Sequence, residues 1–318
     1  MPESRDRDHA PWVVIGGLPD RTRRARGPVL RFAPSPNGRL HLGHAYSALL
    51  NARISERLGG RLLLRIEDID LGRSRPEFVA GILTDLDWLG LRFEAPVRRQ
   101  SEHFADYAAA RDALAESGLI YPCFCSRGQI ISEVAAREAR GEPVPRDPDG
   151  ATLYPGNCRH LSAGEAKARR ERGEPHTWRL DMPAALRSLT APPVIRGFSP
   201  DDGVLETVAA DPGRWGDAVI VRRDVPTSYH LSVVCDDAQQ GITHVVRGQD
   251  LEAATDLHAL LQHLLNLAAP AYHHHALIRA EDGEKLAKSK GSESLADLRA
   301  RGITAEDVRT MLGFGTVD

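Results

Sequence analysis

From Pro28 onward the apolar positions fall into a repeating order. Val29, Leu30, Arg31 and Phe32 predict a short strand, and Pro34 to Gly38 predict a turn. Leu42, Ala45, Leu49 and Ala52 then recur at helical spacing to about Leu58, where Gly59-Gly60 ends the helix. Arg61 to Ile66 reads as a buried strand. Ser74-Arg75-Pro76-Glu77 has the form of a capping box, opening a second helix with Val79, Ile82, Leu83, Leu86 and Leu89 on one face. Strand, helix, strand, helix is the order of a parallel sheet covered by helices, so the expected fold class is α/β.

Residues 119–212 break this rhythm with Pro-rich and charged stretches, such as Gly141 to Pro148 and Ala166 to Arg172, and predict an inserted subdomain. The rhythm then resumes. Ala218 to Val221, Thr243 to Arg247 and His275 to Ile278 are strand-like. Glu252 to Leu267 is helical, with Leu257, Leu260, Leu261, Leu264 and Leu265 forming an apolar stripe. The expected division is a loosely ordered extension (1–27), a first catalytic half (28–118), the insertion (119–212), a second half (213–290) and a C-terminal helical segment (291–318), with a helix or two near Thr304 to Leu312.

Composition narrows the class without naming a partner. The chain has 318 residues, 42% of them hydrophobic and 5% aromatic, which suits a soluble globular protein with a sizeable core. No run approaches the roughly 18 apolar residues of a membrane span. The first 27 residues lack the apolar stretch of a secretory signal, so the expected compartment is the cytoplasm. A net charge of −3 gives no global argument for nucleic-acid binding; a basic surface would have to be local. Cys235 beside the run Leu231 to Val234 reads as core, while Cys123, Cys125 and Cys158 cluster in sequence and point to metal rather than disulfides.

Two short motifs carry the candidate chemistry. His41-Leu42-Gly43-His44 stands where strand and turn hand over to a helix. There the free N–H groups and positive dipole end attract phosphate, histidines can donate to it, and Gly43 permits close approach. Lys285-Leu286-Ala287-Lys288-Ser289 follows the last predicted strand, and its two lysines can neutralise charge on departing pyrophosphate. Alone, the first reads equally as a solvated helix cap and the second as a solvated charge run. Together they flank a parallel sheet at the ends of its first and last strands, where ligands of such sheets bind.

These motifs resemble the HIGH and KMSKS signatures of class I aminoacyl-tRNA synthetases, with Ala287 in place of the usual Ser. Arg31 to His44, Leu64 to Asp70 and Thr243 to Asp250 resemble the strings of the glutamyl branch, in the same order. The resemblance implies a Rossmann-type nucleotide-binding fold and ATP, with its Mg²⁺, bound by His41, Gly43, His44, Lys285 and Lys288. His41, His44, Lys285 and Lys288 would be the catalytic set. It also implies a glutamate pocket lined by Arg31, Phe32, Ala33, Pro34, Ser35, Glu67, Tyr229 and Arg247. Glu67 would meet the α-ammonium, and Tyr229 and Arg247 the side-chain carboxylate. That division suits a substrate with two carboxylates and one ammonium, which needs guanidinium forks and an acid.

Three thiols within 36 residues suit a structural zinc ion, one per chain, that needs one more donor, either Tyr154 or His160. Glutamyl-queuosine tRNA(Asp) synthetases resemble this stretch and would assign Tyr154. The 29 residues after Ser289 are expected to be too few for a separate RNA-binding domain. The resemblance therefore implies transfer of activated glutamate to queuosine in the anticodon loop of tRNA(Asp), by a monomer and without a membrane. Alternatives are a minimal enzyme charging tRNA(Glu), a non-catalytic sensor of glutamate or nucleotide, and a nucleotidyltransferase of the same superfamily. His273-His274-His275 is assigned no metal, and Asp236-Asp237 no role.

Overall fold

The computed structural model describes residues 27–201, 203–278 and 293–315. Strand β1 (Val29–Phe32) is buried throughout, and helix α1 (Leu42–Arg57) returns the chain to β2 (Arg61–Ile66), which pairs with β1 in parallel. Helix α2 (Pro76–Trp88) leads to β3 (Glu94–Arg99), parallel to β2. The capping box expected at Ser74 does not form. Arg75 is the N-cap, without a side-chain bond, and Pro76 begins the helix, where its missing N–H costs nothing. Leu83 faces solvent at 44% exposure, while Ile82, Leu86 and Leu89 are buried. The charged strand β3 escapes an apolar-pattern reading because four of its six residues are polar or proline.

After α3 (Phe104–Glu116), β4 (Ile120–Cys123) begins a small antiparallel sheet, followed by α4 (Arg127–Ala139), α5 (Ala163–Glu171), β5 (Thr177–Leu180) and α6 (Met182–Ser188). Strand β6 (Val194–Phe198) and its antiparallel partner β7 (Leu205–Ala209) come next, then β8 (Val219–Val221). Hydrogen bonding crosses residue 212 in both directions: β8 closes the sheet β4-β5-β8, whereas β6 and β7 join the sheet formed by the last strands.

Helix α7 (Tyr229–Gln239), strand β9 (His244–Gly248), helix α8 (Ala254–Leu264) and strand β10 (Ala271–His275) complete the second parallel unit, ordered β7-β6-β10-β9. The last strand begins earlier than the expected His275 to Ile278. The three consecutive histidines end the strand and pair along β9, His273 and His274 half-buried and His275 buried. The two parallel units meet at β1 and β9, where the Thr243 amide donates to the Val29 carbonyl at 2.9 Å and the Val29 amide to Thr243 Oγ1 at 2.8 Å.

Two large apolar clusters hold the molecule. One joins α1, α2, Leu64 and Ile66 to α9 (Leu295–Ala300) and α10 (Ala305–Met311), through Leu295, Leu298 and Val308. The other joins Tyr107 and Leu114 of α3 to Leu231, Val234 and Cys235 of α7 and to four residues of α8, so Cys235 is core as expected. Burial on this scale, at about 25 cal/mol per Å² of apolar surface, is the main term holding the elements together. The parallel strands β1, β2, β9 and β10 all end on one side, at the rim of a cavity of about 620 Å³. No described helix is long and apolar enough to cross a membrane.

Candidate active site

The cavity gathers residues from separate stretches of the chain, among them the end of β10 at His275 and the following Leu277 and Ile278. Arg31 to Ser35 enter from β1, His41 to His44 from the start of α1, Glu67 from the end of β2, Tyr229 from the start of α7 and Arg247 from β9. Every glutamate-pocket residue anticipated in sequence therefore lines one space, together with both anticipated histidines and Gly43. Lys285 and Lys288 lie outside the described residues.

His41 is the N-cap of α1. Its Nδ1 accepts from the Gly43 amide at 3.1 Å, and its own amide donates to His44 Nδ1 at 3.1 Å, so the two rings close a reciprocal box with centroids 3.8 Å apart. The histidines thus cap the helix and also line the cavity. A Cβ at Gly43 would sit 3.1 Å from His41 Cε1, so the ring would have to yield by a few tenths of an ångström.

Beneath the cavity runs an ionic relay that sequence reasoning left out. Fully buried Arg65 of β2 donates to Asp237 Oδ1 at 2.7 Å and to Glu67 Oε1 at 3.1 Å, while Arg31 Nε donates to the same Asp237 oxygen at 3.3 Å. The adjacent Asp236 accepts from Arg98 at 2.7 Å, Gln100 at 2.7 Å and Tyr107 at 3.0 Å. Burial pushes the Asp237 carboxyl up, but the Arg65 and Arg31 charges outweigh it and hold the group below its ordinary range. For Glu67 the balance is reversed: burial outweighs Arg65 and Arg31, and its carboxyl sits above the ordinary range. An ammonium arriving beside Glu67 would pull it back down.

Arg247 is 4% exposed and packs against aromatic and neutral polar groups. Its Nη1 donates to Tyr229 Oη at 3.3 Å and to His258 Nδ1 at 3.2 Å, its Nη2 to Thr255 Oγ1 at 2.8 Å, and its Nε to His274 Nε2 at 3.4 Å. The guanidinium lies over the Tyr272 ring at 5.3 Å. The only sequence hint of this surround was polar residues at buried helical positions of α8 and the histidine run in β10.

A second constellation lies in the small sheet's neighbourhood. The sulfurs of Cys123, Cys125 and Cys158 lie within 4.8 Å of one another, with Cys125 Sγ 3.4 Å from Cys158 Sγ. The Tyr154 hydroxyl joins them, 3.3 Å from Cys125 Sγ, while His160 is exposed and outside the group. A tetrahedral ion with bonds of about 2.3 Å to sulfur needs sulfurs about 3.8 Å apart, so this donor set fits a metal ion. All four cysteines are free thiols.

The family model for the catalytic domain of class I tRNA synthetases of the E and Q type matches residues 29–314. This chain belongs to that family. Among curated synthetases it is 43% identical, over 90% of its own length and 100% of the relative's, to a protein of Rhodobacter capsulatus named Glutamyl-Q tRNA(Asp) synthetase. It is 36% identical to Glutamate--tRNA ligase of Heliobacterium modesticaldum, over 87% of the chain but only 54% of that ligase. Among solved synthetases it is similar to Glutamate-tRNA Synthetase from Elizabethkingia anophelis, with TM-score 0.66 and 28% identity. That match covers 83% of the chain, which spans about half (53%) of the solved structure. Membership fits the expected α/β class and the parallel sheet.

Proposed function

We propose that this synthetase activates glutamate with ATP and transfers it to the queuosine base in the anticodon loop of tRNA(Asp). The observation that carries the reading is the 43% identity, over 90% of this chain and the whole of the relative, to the Rhodobacter capsulatus protein of that name. Support for the amino acid comes from the cavity chemistry, where the buried guanidiniums of Arg31 and Arg247 and the carboxylates of Glu67 and Asp250 line a space sized for a small molecule.

In the first step an α-carboxylate oxygen of glutamate attacks the α-phosphorus of ATP. A P–O bond to the carboxylate forms as the bond to the bridging oxygen breaks, and pyrophosphate departs. The carboxylate is ionised at neutral pH, so no general base is required, and the chain contributes positioning and charge. Arg31 and Glu67 hold the amino-acid end, Tyr229 and Arg247 the side-chain carboxylate, while Phe32, Ala33, Pro34 and Ser35 wall the pocket. His41 and His44, at the positive end of α1, meet the triphosphate together with Gly43. Lys285 and Lys288 are assigned to the pyrophosphate, and Mg²⁺ arriving with ATP would offset phosphate charge. In the second step a queuosine hydroxyl attacks the carbonyl carbon and AMP leaves. A zinc ion would be held by Cys123, Cys125, Cys158 and Tyr154, where it would tie the insertion together and take no part in the reaction.

The test offers radiolabelled glutamate and ATP to purified tRNAs. We expect label on queuosine-containing tRNA(Asp), retained when the 3′-terminal adenosine is trimmed away by exonuclease and lost when guanosine replaces queuosine. Label that appears on tRNA(Glu) and requires its intact 3′ end would overturn the acceptor and leave glutamate activation standing.

A further inference from the structure

Arg247 differs from the other buried arginines of the site in what surrounds it. Arg31 and Arg65 are each paired with a carboxylate of the chain, at 3.3 and 2.7 Å. Among the described residues no carboxylate lies within ion-pair distance of Arg247. Asp237, whose carboxyl feels the Arg247 charge, is already bonded to Arg31 and Arg65. Four of the five guanidinium N–H groups go instead to a phenol, a hydroxyl and two imidazoles.

The hydrogen bonds run in one direction, which fixes the protonation of the surround. Arg247 can only donate, so His258 Nδ1 accepts and the proton of this ring sits on Nε2, facing His230 Nδ1 at 3.2 Å. His230 is in turn an acceptor on that atom. Thr255 Oγ1 accepts from Arg247 and passes its own hydrogen to His274 Nε2 at 3.0 Å, so this ring also accepts. Each histidine is thereby required to be neutral. Burial, and then the Arg247 charge, lowers His230 to about 4, His274 to about 3, and His258 well below 6.5.

We propose that His258, His274 and Thr255 are specificity-determining positioning residues. They hold Arg247 in place with neutral acceptors only, so that its counter-charge must come from the ligand's side-chain carboxylate. A buried cation held by neutral dipoles keeps its full attraction for an anion, and the same cation beside an internal carboxylate would be satisfied already. A neutral amide such as glutamine fits the same volume and leaves the charge unpaired. Rejection of glutamine therefore resides in the absence of an acid from this surround as much as in Arg247 itself. The inference rests on the cavity being a glutamate site.

An isosteric pair at His258 isolates the charge. Asn places a neutral oxygen or nitrogen near the former Nδ1, and Asp adds only an internal anion. Amino-acid-dependent pyrophosphate exchange is measured for the unaltered chain, His258→Asn and His258→Asp, with glutamate and with glutamine. His258→Asn, neutral like the native ring, sets the reference value of the glutamate KM. His258→Asp should raise that KM at least tenfold and cut the glutamate-over-glutamine ratio of kcat/KM at least tenfold, with kcat at saturation changed far less. Equal KM and equal ratios in the Asn and Asp variants overturn the inference while leaving the glutamate reading intact. An unaltered chain that does not prefer glutamate to glutamine overturns both. If His258→Asp fails to fold, as a melting curve reports, the pair Thr255→Asn and Thr255→Asp makes the same comparison on Nη2.

Discussion

Arg65 has no exposed side-chain surface, yet three carboxylates lie within 4 Å of it, those of Asp237, Glu67 and Asp236. Removing one member of such a network strands a charge in a medium that solvates it poorly. Asp237→Asn should therefore destabilise the chain by about 3 to 5 kcal/mol in urea denaturation, the usual cost of breaking a buried pair. A loss under about 1 kcal/mol would mean that water reaches this layer. Arg31, Glu67 and Arg247 were legible in sequence because each stands in a short recognisable string, whereas Tyr229 came only from the family resemblance. Asp237, Thr255 and His258 were not. They sit at polar positions within apolar helices, and their meaning comes from partners such as Arg31, 206 residues distant from Asp237.

Secondary elements were legible wherever local chemistry decided them. The start of α1 at His41 and its end at Gly59 follow from capping and from a left-handed turn at φ 59°. The strand β10 was displaced in the sequence reading because its last three residues are histidines, and only pairing with β9 reveals that they belong to the sheet. In the insertion, β4 ends in Cys123 and the loop before α5 supplies Tyr154 and Cys158, so a bound metal would staple segments that no large core holds. Metal analysis should return one zinc per chain, retained in His160→Ala and lost in Cys158→Ser. Retention in Tyr154→Phe together with loss in His160→Ala would exchange the fourth ligand.

At the scale of the whole molecule the neutral histidines make stability depend on pH. His230 and His274 titrate near 4 and 3 in the fold against 6.5 ordinarily, so between these values the unfolded chain binds more protons. Stability is therefore fullest above about pH 6.5 and falls as pH drops toward 4, by at most about 1.4 kcal/mol per pH unit for each histidine. Asp237, depressed, adds loss at the acid end, whereas Glu67, raised, opposes it. Urea unfolding from pH 7 to 5 should show the decline, and His230→Gln should make it shallower. An unchanged slope would place His230 in contact with water.

The seam between β1 and β9 also has a consequence in time. Arg31 reaches the carbonyl of Val246 across 215 residues of chain, and Val29 meets Thr243 across 214. At about 5 to 20 residues per second, a ribosome needs roughly ten to forty seconds to make that interval. Throughout it, β1 and β2 exist without the strand that covers their open edge. The nascent amino-terminal half thus waits with an unpaired flank, and the cavity closes only when the second half emerges.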